Sequence, residues 1–249
     1  MRLDQLLVSR GLFPSREQAR RAVMAGAVAV DGRRVDKPGS DVPAAARLEV
    51  AAREPFVSRA GRKLAAALDA FGLDPRGWVC LDVGASTGGF TDCLLQRGAA
   101  RVYALDVGYG QLDSRLRSDP RVVVMERVNA RLLPADALPE RCDLAVVDVS
   151  FISLLKVVPA LLPHLAPGGL LLPLVKPQFE AGRGEVGRGG ILRDEERRRA
   201  IVEARAGELA ALGLELLGTF DSPVWGAEGN RETFALLRRP AAAAPAEGG

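Results

Sequence analysis

The 249-residue chain is short of several things, and each shortage narrows its class. It has three cysteines, Cys80, Cys93 and Cys142, none in a Cys-x-x-Cys pair, which excludes a disulfide framework and a cysteine-based zinc site. Its single histidine, His164, sits in Leu162-Pro163-His164-Leu165 ahead of a turn; without partners it fits a structural role better than metal binding. No stretch approaches the roughly 18 uninterrupted apolar residues of a membrane span. The richest run, Gly169-Leu170-Leu171-Leu172-Pro173-Leu174-Val175, has the length of a buried strand. The start, Met1-Arg2-Leu3-Asp4, lacks the long apolar region of a secretion signal. These absences predict a cytoplasmic, reduced protein with no structural metal and no membrane partner. Lysine is the last shortage: of 34 basic residues only Lys37, Lys63, Lys156 and Lys176 are lysines, leaving 30 arginines. Arginine cannot release its proton at working pH whereas a desolvated lysine can, so the places where lysine is kept bear on chemistry.

What is present is a balanced folded body, 48% apolar and 26% charged. The charge is unevenly spread. Residues 1–40 carry eight basic groups against four acidic ones, and the remainder of the chain sums to −1. A basic first sixth on a near-neutral body suggests a nucleic-acid contact, with solvated charge as the alternative.

Residues 2–25 read as two short helices, the second opened by a capping box, Ser15-Arg16-Glu17-Gln18. That helix sets Arg16 and Arg20 four residues apart on one face, with Arg21 beside them. A hairpin over 28–35 turns on Asp31-Gly32, and a strand at 47–50 closes the small unit. Residues 60–71 form a helix with apolar spacing Leu64, Leu68, Phe71. Strands are then expected at 78–83, 101–106, 121–125, 142–148, 169–175, 214–221 and 231–238, with a long helix near 194–212. Such alternation gives a mostly parallel α/β sheet with helices on both faces, which binds ligands beyond the carboxyl ends of its strands.

The first of these strands runs through Asp82 into the glycine turn Gly84-Ala85-Ser86-Thr87-Gly88-Gly89-Phe90 and a helix. The turn lacks the G-x-G-x-x-G spacing of a dinucleotide site and the lysine of a P-loop. Asp106 ends the second strand, where a carboxylate can accept hydrogen bonds from ribose hydroxyls. A carboxylate beside the turn suits a ligand with an amino group and a sulfonium, as in S-adenosylmethionine. The candidate cofactor residues are therefore Asp82, Gly84, Ser86, Thr87, Gly88, Gly89, Phe90 and Asp106. Asn129, after the third strand, can either approach the adenine or form a local cap. Asp148 ends the fourth strand and Lys176 the fifth, while Glu232 opens the last strand and Lys63 lies on the helix before the first. The four form a possible Lys–Asp–Lys–Glu cluster, with an ordinary ion-pair network as the alternative. Lys156 reads as a solvated charge. The segment 180–190 is glycine-rich and carries Arg183 and Arg188; it can fold over RNA or form a long surface loop.

The string from Arg2-Leu3-Asp4 through Ser15–Arg20 to Asp31-Gly32 resembles an S-four-type RNA-binding domain, a helix–helix–hairpin module that lays its basic second helix on structured RNA. The segments 82–90, 148–154 and 174–182, taken with that module, resemble the TlyA family, which joins an S-four-type domain to an FtsJ-like ribose 2′-O-methyltransferase. The family has also carried a haemolysin label, but a pore-former needs spanning or strongly amphipathic apolar segments, and the sequence has none. The resemblance covers residues 1–239. It implies a Rossmann-like class I S-adenosylmethionine-dependent methyltransferase with a small N-terminal α+β domain. Domains are expected at 1–52 and 60–239, with a linker at 53–59 and a disordered tail at 240–249. It implies a catalytic tetrad of Lys63, Asp148, Lys176 and Glu232, and RNA contacts from Arg2, Arg16, Arg20 and Arg21. It implies methyl transfer to a cytidine 2′-hydroxyl of ribosomal RNA, with the ribosomal subunit as partner. The short start before Arg2-Leu3-Asp4 is similar to the branch that acts on the large subunit alone; other members also act on the small subunit. In the tetrad, Lys176 is the expected base, Asp148 its orienting partner, and Lys63 and Glu232 the groups that place the hydroxyl. The hinge Arg53-Glu54-Pro55-Phe56 departs from the tryptophan-containing linker of some members. The competing reading is a non-catalytic RNA-binding protein with a methyltransferase-like body.

Overall fold

The computed structural model describes residues 1–51, 54–181, 190–226 and 228–241. Its contacts divide the chain into two units, Met1–Glu54 and Pro55–Gly249. The expected tail lies outside the described residues from 242 onward, as does 182–189 of the glycine-rich segment with Arg183 and Arg188.

In the first unit, α1 (Leu3–Ser9) packs on α2 (Arg16–Met24), whose N-terminus is capped by the Ser15 hydroxyl accepting from the Gln18 N–H. Leu3, Leu6 and Leu7 meet Ala19 and Val23 at helical spacing, and Val28 and Val30 close the core from the sheet. That sheet has the order β2-β1-β3, with β1 (Val28–Val30), β2 (Arg33–Arg34) and β3 (Leu48–Val50). Asp31 and Gly32 both take positive φ, 50° and 77°, the geometry a two-residue hairpin turn requires of its central pair.

The second unit runs α3 (Ala60–Phe71), β4 (Val79–Val83), α4 (Gly89–Gln96), β5 (Arg101–Asp106), α5 (Ser114–Arg117), β6 (Val122–Glu126), β7 (Cys142–Val147), α6 (Val158–Leu161), β8 (Leu165–Val175), α7 (Pro177–Glu180), α8 (Glu195–Ala210), β9 (Glu215–Asp221) and β10 (Thr233–Arg238). The seven strands lie in the order β6-β5-β4-β7-β8-β10-β9. Strands β4 to β8 are parallel, and β10 inserts antiparallel between β8 and β9. The strand β8 starts four residues earlier than its apolar run suggests. Gly168 (φ 77°) and a register shift opposite Cys142 and Leu144 let it bend through Pro167-Gly168-Gly169 without ending. Glu232 falls just before β10, one residue outside the regular ladder.

Strand alternation sorts the core into two layers. Leu64 and Leu68 of α3 and Leu94 of α4 cover one face with Phe234 and Leu236. Val202, Ala206 and Leu209 of α8 cover the other with Ala235 and Leu237. Phe90 belongs to the first layer, its ring 5.9 Å from that of Phe234. Because strand order reverses between β4 and β7, the chain leaves their carboxyl ends toward opposite faces of the sheet, and the crevice between those connections is the place where such sheets bind ligands.

Candidate active site and basic helix

The crevice opens between the ends of β4, β5 and β7. Its larger part, about 580 Å³, is lined by Gly84, Ser86, Asp106, Gln111, Asn129 and Asp148 among others. A smaller part of about 210 Å³ shares Gly84, Ser86 and Asp148 and adds Asp82, Thr87, Gly89 and Lys176. Gly84 has φ 85°, and a Cβ there would lie 2.4 Å from the Asp148 carbonyl oxygen, so only glycine permits the two strand ends to approach this closely. Asp82 is fully buried; its Oδ2 accepts from the Thr91 hydroxyl at 2.7 Å, whereas its Oδ1 has no partner. Burial pushes its carboxyl up to about 7, against the Thr91 hydrogen bonds and with help from the nearby Asp148 and Asp106. A buried carboxylate oxygen left bare in a crevice is what an ammonium group completes.

Asp106 is held rigidly: Ser86 N–H donates to Oδ2 at 2.8 Å and Gly108 N–H to Oδ1 at 2.6 Å. Ser86 reaches that carboxylate with φ 49°, and its hydroxyl donates to Gln111 Oε1 at 3.3 Å. Asn129 lines the larger part and also caps the turn Ala130–Leu132, accepting from the Arg131 N–H. Two of the expected cofactor residues also shape the fold. Gly88 (φ 96°) shapes the start of α4, where a Cβ would strike Leu116. Phe90 contributes to the wall of the smaller part, but its side chain is core.

The four tetrad candidates form two ion pairs. Lys63 Nζ lies 2.5 Å from Glu232 Oε2, both side chains buried. Lys176 Nζ lies 2.6 Å from Asp148 Oδ1 and donates to the Ser150 hydroxyl at 2.9 Å. The register pairing Thr233 with Val175 brings Glu232 and Lys176 to the same edge of neighbouring strands. Gly226 packs over Glu232, where a Cβ would lie 2.6 Å from Oε1. Lys156 is exposed. His164 is buried, its Nε2 unpartnered; burial holds it below its ordinary pKa, so it is a neutral core residue.

Two features of this unit have no signal in the sequence. Phe151, directly after Ser150, is 83% exposed and holds φ 63°, a left-handed backbone that a bulky residue rarely adopts. Its ring packs at a 47° tilt against Phe179, centroids 4.8 Å apart, and the Phe179 ring lies 6.0 Å from Lys176 Nζ. Tyr109, also exposed, stacks on the Arg127 guanidinium at 4.2 Å.

In the first unit, Arg16, Glu17, Arg20, Arg21 and Met24 line a shallow groove along α2. Arg2 and Arg16 are partly committed to structure, each 3.2 Å from the fully buried Asp4. Arg21 pairs with Glu17 at 3.6 Å. Among the described residues no helix is long and apolar enough to cross a membrane, and no group of three His, Cys, Asp or Glu side chains is placed to hold a metal.

Residues 56–239 match the FtsJ-like methyltransferase family and residues 1–48 the S4 domain, the S-four-type module. Over 239 residues the chain is 49% identical to the 16S/23S rRNA (cytidine-2′-O)-methyltransferase TlyA of Mycobacterium tuberculosis, covering 95% of this chain and 89% of that one. It is 42% identical over 236 residues to hemolysin A of Brachyspira hyodysenteriae, covering 94% and 98%. The solved structure of a Streptococcus thermophilus protein, provisionally named a hemolysin, superposes with a TM-score of 0.75 at 43% identity, covering 96% of this chain and 88% of that one. The chain belongs to the TlyA family, in which an S4 domain precedes an FtsJ-like methyltransferase.

Proposed function

We propose that the chain methylates the 2′-hydroxyl of a cytidine in ribosomal RNA, in the large subunit first, with S-adenosylmethionine as donor, and works in the cytoplasm. The observation that carries this reading is a juxtaposition in one crevice. The bare oxygen of buried Asp82 lies in its wall, and Lys176, fixed by Asp148 and Ser150, lies at the same wall. Asp82 would take the amino group of the donor, and the rigid Asp106 its ribose hydroxyls. When bound, the donor supplies an electrophilic methyl carbon on a sulfonium.

The protein's share is to hold the nucleophile and move its proton. A ribose hydroxyl is a poor nucleophile, so its oxygen must be held in line and its proton taken as the O–C bond forms and the methyl–sulfur bond breaks, the electron pair staying on sulfur. In its neutral form, after giving up its own proton, Lys176 accepts that proton, and Asp148 fixes where Nζ sits and steadies the ammonium that results. The Lys63–Glu232 pair, which joins α3 to the start of β10, orients the hydroxyl and balances charge. The exposed Phe151 ring offers a stacking face to a base pulled out of its helix. The strain of its left-handed backbone, about 1–3 kcal/mol, is of the kind that accumulates at functional positions. In the first unit, the α2 arginines supply phosphate contacts.

Incubation with methyl-labelled S-adenosylmethionine and separated ribosomal subunits, followed by mapping, should place the label on a cytidine ribose of large-subunit RNA. Label on the small subunit as well would extend the substrate, in keeping with the name of the Mycobacterium relative. Label on a base or on protein, or no label, would contradict the reading.

A further inference from the structure

We propose that Arg198 is a positioning residue for methyl transfer, setting Glu232 from the opposite face of the sheet through Thr233 and Asp221; this rests on the methyltransferase reading above. Arg198 is one of the five consecutive charged residues, Glu195–Arg199, that open α8, where a helix face in water is the ordinary expectation, yet it is 3% exposed. All five of its N–H groups are used. Nε donates to Glu195 Oε2 at 2.9 Å, and Nη2 donates to Glu195 Oε1 at 2.7 Å and Asp221 Oδ2 at 2.8 Å. Nη1 donates to Asp221 Oδ1 at 2.9 Å and to the Thr233 hydroxyl at 2.8 Å. The Thr233 hydroxyl donates onward to Asp221 Oδ1 at 2.6 Å, closing a ring. Arg231 adds a contact to Asp221 at 3.4 Å.

This ring sits where Glu232 is fixed. Asp221 is the last residue of β9 and Thr233 the first of β10, paired across the ladder. Side chains alternate along β10, so Thr233 faces α8 with Ala235 and Leu237, while Glu232 faces α3 with Phe234 and Leu236. Residues 231 and 233 are thus gripped on one face while Glu232 is left to meet Lys63 on the other. The Glu232 carbonyl accepts from Ser222 N–H at 2.8 Å, which fixes its backbone as well. Tolerance on the α3 side is small, because Lys63 lies 2.5 Å from one carboxylate oxygen and Gly226 has no room for a Cβ beside the other.

Stability alone is a poor reason for such a ring, because buried ion pairs are often replaced by apolar packing at no loss. What a fully bonded guanidinium fork gives is direction. The ring is also permanently charged: hydrogen bonds from Arg198 hold Glu195 down at about 2, and in Asp221 the bonds from Thr233 and Arg198 outweigh the upward push of burial. It is a fixed support and not a pH switch.

The test is a double-mutant cycle on single-turnover methylation at saturating donor and RNA. Arg198→Lys keeps the charge but has three N–H groups in place of five. It should slow the step at least about 10-fold, since misplacement of a group by ~1 Å can cost 10²-fold. Donor and RNA affinities should stay within about twofold. In a Glu232→Gln background, where the carboxylate to be positioned is gone, Arg198→Lys should cost less than about twofold. If Arg198→Lys does not fold, Thr233→Val, which cuts one link of the ring at nearly constant shape, enters the same cycle. An equal slowing with and without the Glu232 carboxylate, or none in the wild-type background, overturns the proposal. A wild-type chain that methylates no RNA overturns the methyltransferase reading and this inference with it.

Discussion

The two units of the chain use charge in opposite ways. In residues 1–54, Arg16, Arg20 and Arg21 stand in water along one helix, and the buried charge among the described residues, Asp4, is neutralised from the surface by Arg2 and Arg16. In the methyltransferase unit the decisive charges are out of water: Lys63, Asp82, Arg198 and Glu232 are all buried. Charge in water attracts phosphate over distance, is screened by salt, and loses little when one member is removed. Charge out of water fixes geometry and tolerates no missing partner. Substitutions in the first unit should therefore grade binding, whereas those in the second should act steeply on the cofactor and the chemistry.

The largest effect should come from Gly84→Ala. The new Cβ would meet the backbone carbonyl of Asp148, which cannot rotate away as a side chain can. Donor binding and methyl transfer should both fall by about 10²-fold or more, because the substitution displaces the cofactor turn and the partner of Lys176 together. Asp82→Asn separates the two. It should weaken donor binding by roughly 10- to 100-fold through loss of a charged hydrogen bond, with the fold kept. Its pH dependence sharpens the contrast. With its ordinary value raised to about 7, Asp82 must lose a proton to receive an ammonium, so wild-type donor affinity should drop as pH falls below 7. Calorimetry from pH 6 to 8 should show that slope in the wild type and a flat line in Asp82→Asn.

The first unit should respond by degrees. Arg20→Glu is the cleaner probe there, because Arg16 also neutralises Asp4 and its reversal would disturb the fold. RNA affinity should fall several-fold, and the slope of log affinity against log salt should flatten by about one unit per lost phosphate contact. Donor affinity should not change. An unaltered salt slope would make α2 a solvated face and nothing more. The smallest effect concerns Asp4, whose carboxyl is held below 3.8 by the Arg2 hydrogen bond and then by Arg16, against burial. A depressed carboxyl stabilises the fold above its unfolded pKa and loses that contribution as pH falls through its folded value. Hydrogen exchange over residues 3–9 of the full chain should therefore accelerate below about pH 4 in the wild type and show no such step in Asp4→Asn.

Much of the scaffold is legible in the sequence, because it follows local rules. The Ser15 cap, the Asp31-Gly32 turn, the alternation of strands and helices and the glycine turn after Asp82 are written in adjacent residues. The pairing of Lys176 with Asp148 was legible through their positions at successive strand ends. What resisted reading depends on residues far apart in the chain. Phe90 reads as part of the cofactor turn, but its ring is claimed by Phe234, 144 positions on. Arg198 looks like any arginine in Glu195-Glu196-Arg197-Arg198-Arg199; only the insertion of β10 beside β9 reveals the acceptors that bury it. Arg16 looks free for RNA until α1 brings Asp4 beneath it. The strained backbone of Phe151 leaves no trace in composition at all.

Methyl transfer turns on the lysine kept at the end of β8, which takes the hydroxyl proton. Lys176→Arg tests it most directly, since arginine keeps the charge and approximate reach but cannot accept a proton near neutral pH. Single-turnover methylation of ribosomal RNA at saturating enzyme isolates the chemical step from binding. The rate should fall by about 10²-fold or more, the scale of losing a general base, with donor and RNA affinities little changed. A Lys176→Arg enzyme within a few-fold of wild type would contradict the claim and leave Lys176 as a fixed positive charge.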